Sequence, residues 1–221
     1  MMRSKRALAA LLAAITLAAG CTSGGDDSAA DDEQAAGDGS VFEGVAFTEP
    51  VPKPDFTLTD TEGRPYDFAA ETDGATTFLF FGYTFCPDIC PVHLNQLGEI
   101  LERPGAPVNV QVVFVSVDPD RDTPEVIRDF LDRFDSDFVG LTGTPEELAA
   151  AQEAAGLPVA FKETDDPDDE QYTVGHYAAV LAFAPNGLGY TQYPMGTKQT
   201  EYAHDLEILG ELRTVDDVPA A

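Results

Sequence analysis

The stretch Phe80-Phe81-Gly82-Tyr83-Thr84-Phe85-Cys86-Pro87-Asp88-Ile89-Cys90-Pro91 decides how the rest of this chain is read. It opens inside a continuous apolar run, Thr76 to Phe81, which lacks polar alternation, as a strand buried on both faces does. Beyond it, from His93 to Leu101, Leu94, Leu97, Ile100 and Leu101 recur on one helical face. A strand that hands two cysteines to a helix start places them among unpaired N–H groups and the positive end of the helix dipole. Both effects favour thiolate. Pro91 limits where that helix begins: inside a helix opening at Pro87 it would lose a backbone bond and clash with the carbonyl four residues back. The expectation is a turn through Pro87 to Ile89, with Cys90 at the cap and Pro91 in the first turn.

Outward from this stretch, strands and helices alternate. Phe56 to Thr59 and Tyr66 to Phe68 alternate apolar and polar residues around Thr61-Glu62-Gly63-Arg64, which predicts an N-terminal β-hairpin. Val110 to Val117 reads as a second buried strand. Thr123-Pro124-Glu125 opens a helix with Thr123 as cap and Pro124 at the first position. Phe138 to Leu141 is a short strand, and Thr144-Pro145-Glu146-Glu147 a capping box for a helix to about residue 155. Leu157 to Lys162 is expected to be a strand, and residues 165 to 170 an acidic loop. Ala178 to Ala184 is an apolar strand turning at Pro185-Asn186-Gly187 into Gly189 to Tyr193, and a last helix covers Glu201 to Leu212. The class is α/β, with a mixed central sheet flanked by helices and an added N-terminal hairpin.

The N-terminus carries Arg3, Lys5 and Arg6 before an apolar segment, Ala7 to Ala19, too short to span a bilayer comfortably. It ends Leu17-Ala18-Ala19-Gly20-Cys21, which resembles a bacterial lipobox. That resemblance implies cleavage before Cys21 and lipid on its sulfur, holding the chain on the extracytoplasmic face of a membrane, where disulfides persist. Residues 22 to 40 contain no aromatic or large aliphatic side chain and cannot bury enough surface to offset their ordering entropy. Residues 1–20 are thus expected to be a lipoprotein signal peptide and 21–45 a lipidated, acidic, disordered tether, with one folded domain over 46–215. The chain has 40 acidic and 12 basic residues, a net charge of −28. Nucleic acid is excluded as a partner, because phosphates need a basic face.

With Cys21 assigned to lipid, Cys86 and Cys90 are the thiols left for chemistry. Two residues between them would make the common thiol–disulfide exchange motif. Three make a larger ring and leave room for an ion between the sulfurs, so a disulfide and a shared metal both stay open. Two thiolates select a soft ion such as Cu(I), or borderline Zn(II), and histidine is the usual third ligand. Of the three histidines, His204 falls between Glu201 and Glu207 on the terminal helix and reads as surface. His93 is near in sequence but would project away from Cys86. His176, in Val174-Gly175-His176-Tyr177, precedes a buried strand at the sheet end where ligands converge in α/β folds. Spacing alone does not distinguish it from a structural histidine. Met195 is a soft donor, but a lone methionine is usually packing.

Residues Phe81 to Pro91 resemble the signature of the SCO/SenC family of copper-binding, thioredoxin-like proteins. Three further blocks match in order: Ser116-Val117-Asp118-Pro119-Asp120-Arg121-Asp122-Thr123-Pro124, then Phe138-Val139-Gly140-Leu141-Thr142-Gly143-Thr144, then His176 followed by the strand ending at Pro185-Asn186-Gly187. The resemblance spans about residues 50 to 212. It implies a thioredoxin-like fold, with Cys86, Cys90 and His176 holding copper as Cu(I) or Cu(II). It also implies a partner, the copper-site subunit of cytochrome c oxidase or another copper or thiol protein, served as metallochaperone or as thiol reductant. Asp118, Arg121 and Asp122 are candidates for orienting the site loop, or simply for capping and ion pairing. The chain departs from the family where Gly175 and Tyr177 flank the histidine in place of the common Asp and Ser or Thr.

Three functions follow. One is a copper-binding assembly factor. Another is a thiol–disulfide oxidoreductase or thiol peroxidase in which Cys86 and Cys90 attack and resolve. The last is a zinc site with an open position, which lacks a candidate general base.

Overall fold

The structure, a computed structural model, describes residues 40–164, 166, 169 and 171–219. The expected signal peptide, Cys21 and most of the expected tether lie outside the described residues. The folded domain starts earlier than residue 46: Phe42 is buried against Tyr190, and the Glu43 and Gly44 amides each donate to the Asp205 carboxylate at 2.8 Å. A single large aromatic at position 42 ends the stretch that has nothing to bury.

Strand β1 (Val45–Pro52) is followed by β2 (Thr57–Asp60) and β3 (Pro65–Asp67), the expected hairpin. Its turn is built by the Asp60 carboxylate, which accepts from the Glu62 and Arg64 amides and from Arg64 Nε, with Gly63 at φ +79°. Phe68 does not extend β3. Asp67 accepts from the Ala70 amide and starts a short helix, α1 (Phe68–Glu71). Then come β4 (Thr76–Gly82), α2 (Ile89–Leu101), β5 (Val110–Ser116), α3 (Pro124–Leu131), β6 (Val139–Thr142) and α4 (Pro145–Ala154). Thr123 caps α3, and the Thr144–Glu147 box caps α4, as read from the sequence. The strand expected over residues 157–162 is confined to β7 (Phe161–Glu163), which pairs with β8 (Thr173–Gly175) in a separate two-stranded sheet. Strands β9 (Val180–Phe183) and β10 (Leu188–Tyr193) and helix α5 (Gln199–Glu211) complete the chain, followed by a 3-10 turn at Val215–Asp217.

The main sheet runs β1-β10-β9-β4-β5-β6-β2-β3, with β4, β5 and β6 parallel and the other pairs antiparallel. Alternation along β4 feeds two cores. Phe78 and Phe80 join residues of α2, α3 and α5 on one face, while Leu79 and Phe81 join Phe68 and residues of α4 on the other. This is why every position of β4 is buried. The topology also fixes the site. Parallel β4 and β5 send their following loops out of the same sheet edge. Antiparallel β9, paired Leu79↔Leu181, brings the segment before it to that edge too. Residues 83–90, 117–123 and 176–179 therefore meet there.

Candidate metal centre

Gly82 closes β4, and its missing side chain makes space for a sulfur. A Cβ there would lie 2.8 Å from Cys90 Sγ and 2.8 Å from Phe114 Cε2. The chain then turns, the Cys86 amide donating to the Tyr83 carbonyl. Helix α2 begins two residues earlier than the sequence indicated. Asp88 is the cap, its carboxylate accepting from the Ile89 amide at 2.7 Å, and Cys90 is already inside the first turn. Pro91 sits third in the helix, where an N–H would have no intrahelical acceptor, so its ring costs nothing there. Cys90 is fully buried and Cys86 is 8% exposed; both are free thiols.

The helix start acts directly on the outer cysteine. The Cys90 amide donates to Cys86 Sγ at 3.5 Å. A hydrogen bond from the Cys90 thiol holds the Cys86 pKa down to about 5, against the opposing effect of burial, with help from the Cys90 and Asp88 amides and His176. Burial, and then the neighbouring Cys86 thiolate, push Cys90 well above its ordinary value. The pair thus carries one negative charge readily and a second only when something positive compensates it.

His176 leaves β8 at that edge. Its Nδ1 lies 3.1 Å from the Val174 carbonyl, and its Nε2 lies 3.9 Å from Cys90 Sγ. A carbonyl can only accept, so Nδ1 carries a proton, and in the neutral ring the nitrogen left with a lone pair is Nε2, on the side of the thiols. Tyr83 closes the other side, its ring edge-on to the imidazole at 5.4 Å between centroids. Burial and then the two cysteines raise the Tyr83 pKa. His93 is not part of this cluster: it is buried, hydrogen-bonds the Tyr202 hydroxyl through Nδ1 at 2.8 Å, and is pushed down to about 4 by that burial. His204 is half-exposed on α5 and pairs with Asp205. Met195 is exposed beside a cavity of about 130 Å³ bordered by Asp88, Ile89, Val92 and His93.

The loop after β5 grips both halves of the cluster. Asp122 is buried and accepts from the Thr84 amide, the Thr84 hydroxyl and the Ser116 hydroxyl at 2.6–2.9 Å, tying the cysteine loop to β5. Burial raises its pKa despite these donors. Asp118, also buried, accepts from Arg121 Nε and from the Tyr172 hydroxyl, each at 2.6 Å. The Arg121 guanidinium lies 3.6 Å from the Tyr172 ring centroid and donates to the Tyr172 carbonyl. Tyr172 precedes β8, so this network docks the strand that leads to His176. Neither Tyr172 nor Tyr83 was singled out from the sequence, because their roles depend on contacts 54 and about 90 residues away. Gly82 did carry a signal, a glycine ending an apolar strand just before a cysteine pair, where something must approach closely.

The donor set suits a soft ion: two sulfurs and a neutral imidazole nitrogen. Sulfur and nitrogen ligands held at ~2.0–2.3 Å from one ion stand roughly 3.5–4 Å apart, and the Cys90–His176 separation falls in that span. The cage is not closed. Among the described residues, no three cysteine, histidine or acidic groups already surround one point.

The model of a family described as SCO1/SenC matches residues 48–210. Protein SCO2 homolog, mitochondrial, of Bos taurus is 34% identical over 155 residues, which cover 68% of this chain and 56% of that protein. The chain therefore spans little more than half the length of this relative. Apo Sco1 from Thermus thermophilus has 34% identity and a TM-score of 0.67, covering 76% of this chain and 96% of that one. ScoI of Bradyrhizobium japonicum, solved with copper bound, has 32% identity and a TM-score of 0.60, covering 71% and 98%. The fold of these neighbours, a mixed sheet flanked by helices, is the fold described above.

Proposed function

The chain belongs to the SCO1/SenC family, and we propose that it is a copper-binding protein of the extracytoplasmic membrane face, serving the binuclear copper site of cytochrome c oxidase. Cys86, Cys90 and His176 are the proposed ligands. The observation that carries this is the fixed imidazole: Nδ1 donates to the Val174 carbonyl, and Nε2 is left facing Cys90. Histidines that ligate a metal almost always donate their other ring N–H to a carbonyl, carboxylate or water, as this one does. Copper is cargo in this reading. Depressed Cys86 supplies one thiolate at neutral pH, and the cation itself compensates the second charge that burial disfavours at Cys90. Delivery is ligand exchange with the thiolates of a partner, for which Cys86, the more exposed sulfur, is the exit.

Anchoring is part of the proposal. Residues 1–20 would be removed as a signal peptide and Cys21 lipidated, with the tether running to about residue 40 rather than 45. Among the described residues no helix is long and apolar enough to cross a membrane. The partner is the copper-site subunit of the oxidase, or another copper or thiol protein. Asp118, Arg121 and Asp122 would hold the two ligand loops together without touching the ion.

Anaerobic titration tests the assignment. One equivalent of Cu(I) should bind per chain, and His176→Ala should weaken binding by at least about tenfold, the smallest loss ascribed even to residues that merely support a ligand. No uptake, or unchanged affinity in His176→Ala, would sink it. The unequal cysteines also have what thiol–disulfide exchange needs, a ready thiolate beside a protonated resolving thiol. A copper-independent mixed disulfide trapped with the partner by Cys90→Ser would favour that reading.

A further inference from the structure

We propose that Phe161 is the positioning residue for His176, its ring laid across Gly175 so that β8 stays in the register from which the imidazole reaches the thiols. The functional importance of that positioning rests on the reading of His176 as a ligand. Phe161 and Gly175 are direct partners in the β7–β8 pair. The ring is 63% exposed, an unusual cost for a phenylalanine with no core to enter. A Cβ on Gly175 would stand 2.6 Å from Phe161 Cζ and 2.8 Å from Cε1, so the ring occupies the volume a side chain would fill. Gly175 is not among the positive-φ glycines, and what it contributes is space, not backbone freedom. Aromatic rings covering a cross-strand glycine are a known way of pinning strand register.

The geometry links this contact to the site. Val174 supplies the carbonyl that orients the imidazole, and His176 carries the imidazole, so Gly175 is the one residue between them. Side chains alternate along β8: Val174 is buried in the core, and Gly175 is covered from the opposite face by Phe161. The hairpin pairs only three residues per strand, and a two-stranded ribbon of that size does not hold its own register in water. Its surface fastenings, Lys162 to Asp120 and Thr173 to Glu163, are exposed. A side chain at position 175 could not coexist with this ring placement.

The test uses the metal-free full chain labelled with ¹⁵N-histidine. Wild type should show His176 as a single Nδ1–H tautomer. Phe161→Ala should show averaging between tautomers, with Phe161→Tyr restoring the single form. Gly175→Ala should disturb His176 as Phe161→Ala does, and the double variant should be no worse than either single one, because the new methyl then enters the vacated space. Cu(I) affinity should fall about tenfold in Phe161→Ala and recover in Phe161→Tyr. Unchanged His176 resonances in Phe161→Ala, or strictly additive effects of the two alanine substitutions, would overturn the proposal. If instead the tautomer responds as expected while His176→Ala binds Cu(I) normally, the positioning stands and the ligand assignment falls.

Discussion

Cys90 hangs from a thirteen-residue helix seated on the central parallel strands, whereas His176 follows a three-residue strand outside the main sheet. The cysteine side is walled by Phe80, Phe114 and Leu94, all fully buried, and its turn is stapled to β5 through Thr84 and Asp122. The histidine side depends on a few specific contacts: Val174 in the core, Tyr172 on Asp118 and Arg121, Phe161 over Gly175. A site assembled this way keeps two donors in fixed relation and makes the third the adjustable one. Local opening free energies follow how much apolar contact a segment makes, so the histidine side is the part expected to open first.

The largest test of the cysteine side is electrostatic. Removing the Cys90 thiol in Cys90→Ala takes away the main influence that holds Cys86 at about 5. The ultraviolet thiolate titration of the metal-free protein should then move up toward the ordinary value of about 8.5. The sign is that of an acid depressed in the fold. The unfolded thiol takes up its proton through about 8.5 and folded Cys86 only through about 5, so the stability it contributes is full above about 8.5 and is lost progressively as pH falls from there to about 5. A variant titrating where wild type does would mean that the helix start alone, not the Cys90 thiol, sets the charge.

Next in size is Gly82→Ala. Its new methyl would meet Cys90 Sγ and Phe114 Cε2 at 2.8 Å, and neither can withdraw into free space. Overpacking of this kind costs about 1–3 kcal/mol, readable as a lower urea midpoint with an unchanged slope. A neutral result would show that the cysteine side is looser than its burial implies.

These two sides also differed in how far the sequence disclosed them. Thr76 to Phe81 announced β4 because an eight-stranded sheet buries both its faces, and Thr123 and Thr144 announced their helices because caps are local chemistry. The proline pattern puts the helix cap at Cys90, whereas Asp88 holds it; proline points near the boundary but not to the side chain that wins it. On the histidine side, almost nothing is local. His176 stood out only through family resemblance, and the residues that fix it, Tyr172, Arg121 and Phe161, act through contacts between segments 14 to 54 residues apart. The strand read over residues 157–162 shrank to β7 because its partner is a short hairpin strand, not the main sheet.

Tyr172→Phe probes the histidine side at its buried fastening. The substitution removes the hydroxyl that donates to Asp118 at 2.6 Å and leaves an acceptor short of a partner inside the protein. The expected loss is about 1–3 kcal/mol. Its distribution is the sharper readout. Amide exchange should quicken at residues 172–176 and stay unchanged at residues 78–82 of β4. Uniform acceleration would erase the distinction between the two sides.

The smallest effect concerns the same hairpin at its surface. Lys162 Nζ lies 2.5 Å from Asp120 Oδ2 and 4.6 Å from the Tyr172 ring centroid, so on distance alone it resembles a principal fastening. Exposure argues otherwise: the two side chains are 49% and 62% accessible, and water and salt screen the pair. A double-mutant cycle with Lys162→Met and Asp120→Asn should give a coupling of no more than about 1 kcal/mol, shrinking further at high salt. The chain's net charge of −28 gives salt a second action, a general stabilisation from reduced self-repulsion, but this is common to all four members of the cycle and cancels. A coupling well above that bound, and insensitive to salt, would mean that the hairpin is held from outside by charge. The buried Tyr172–Asp118 contact would then be secondary, and the histidine side would be tuned by its surface.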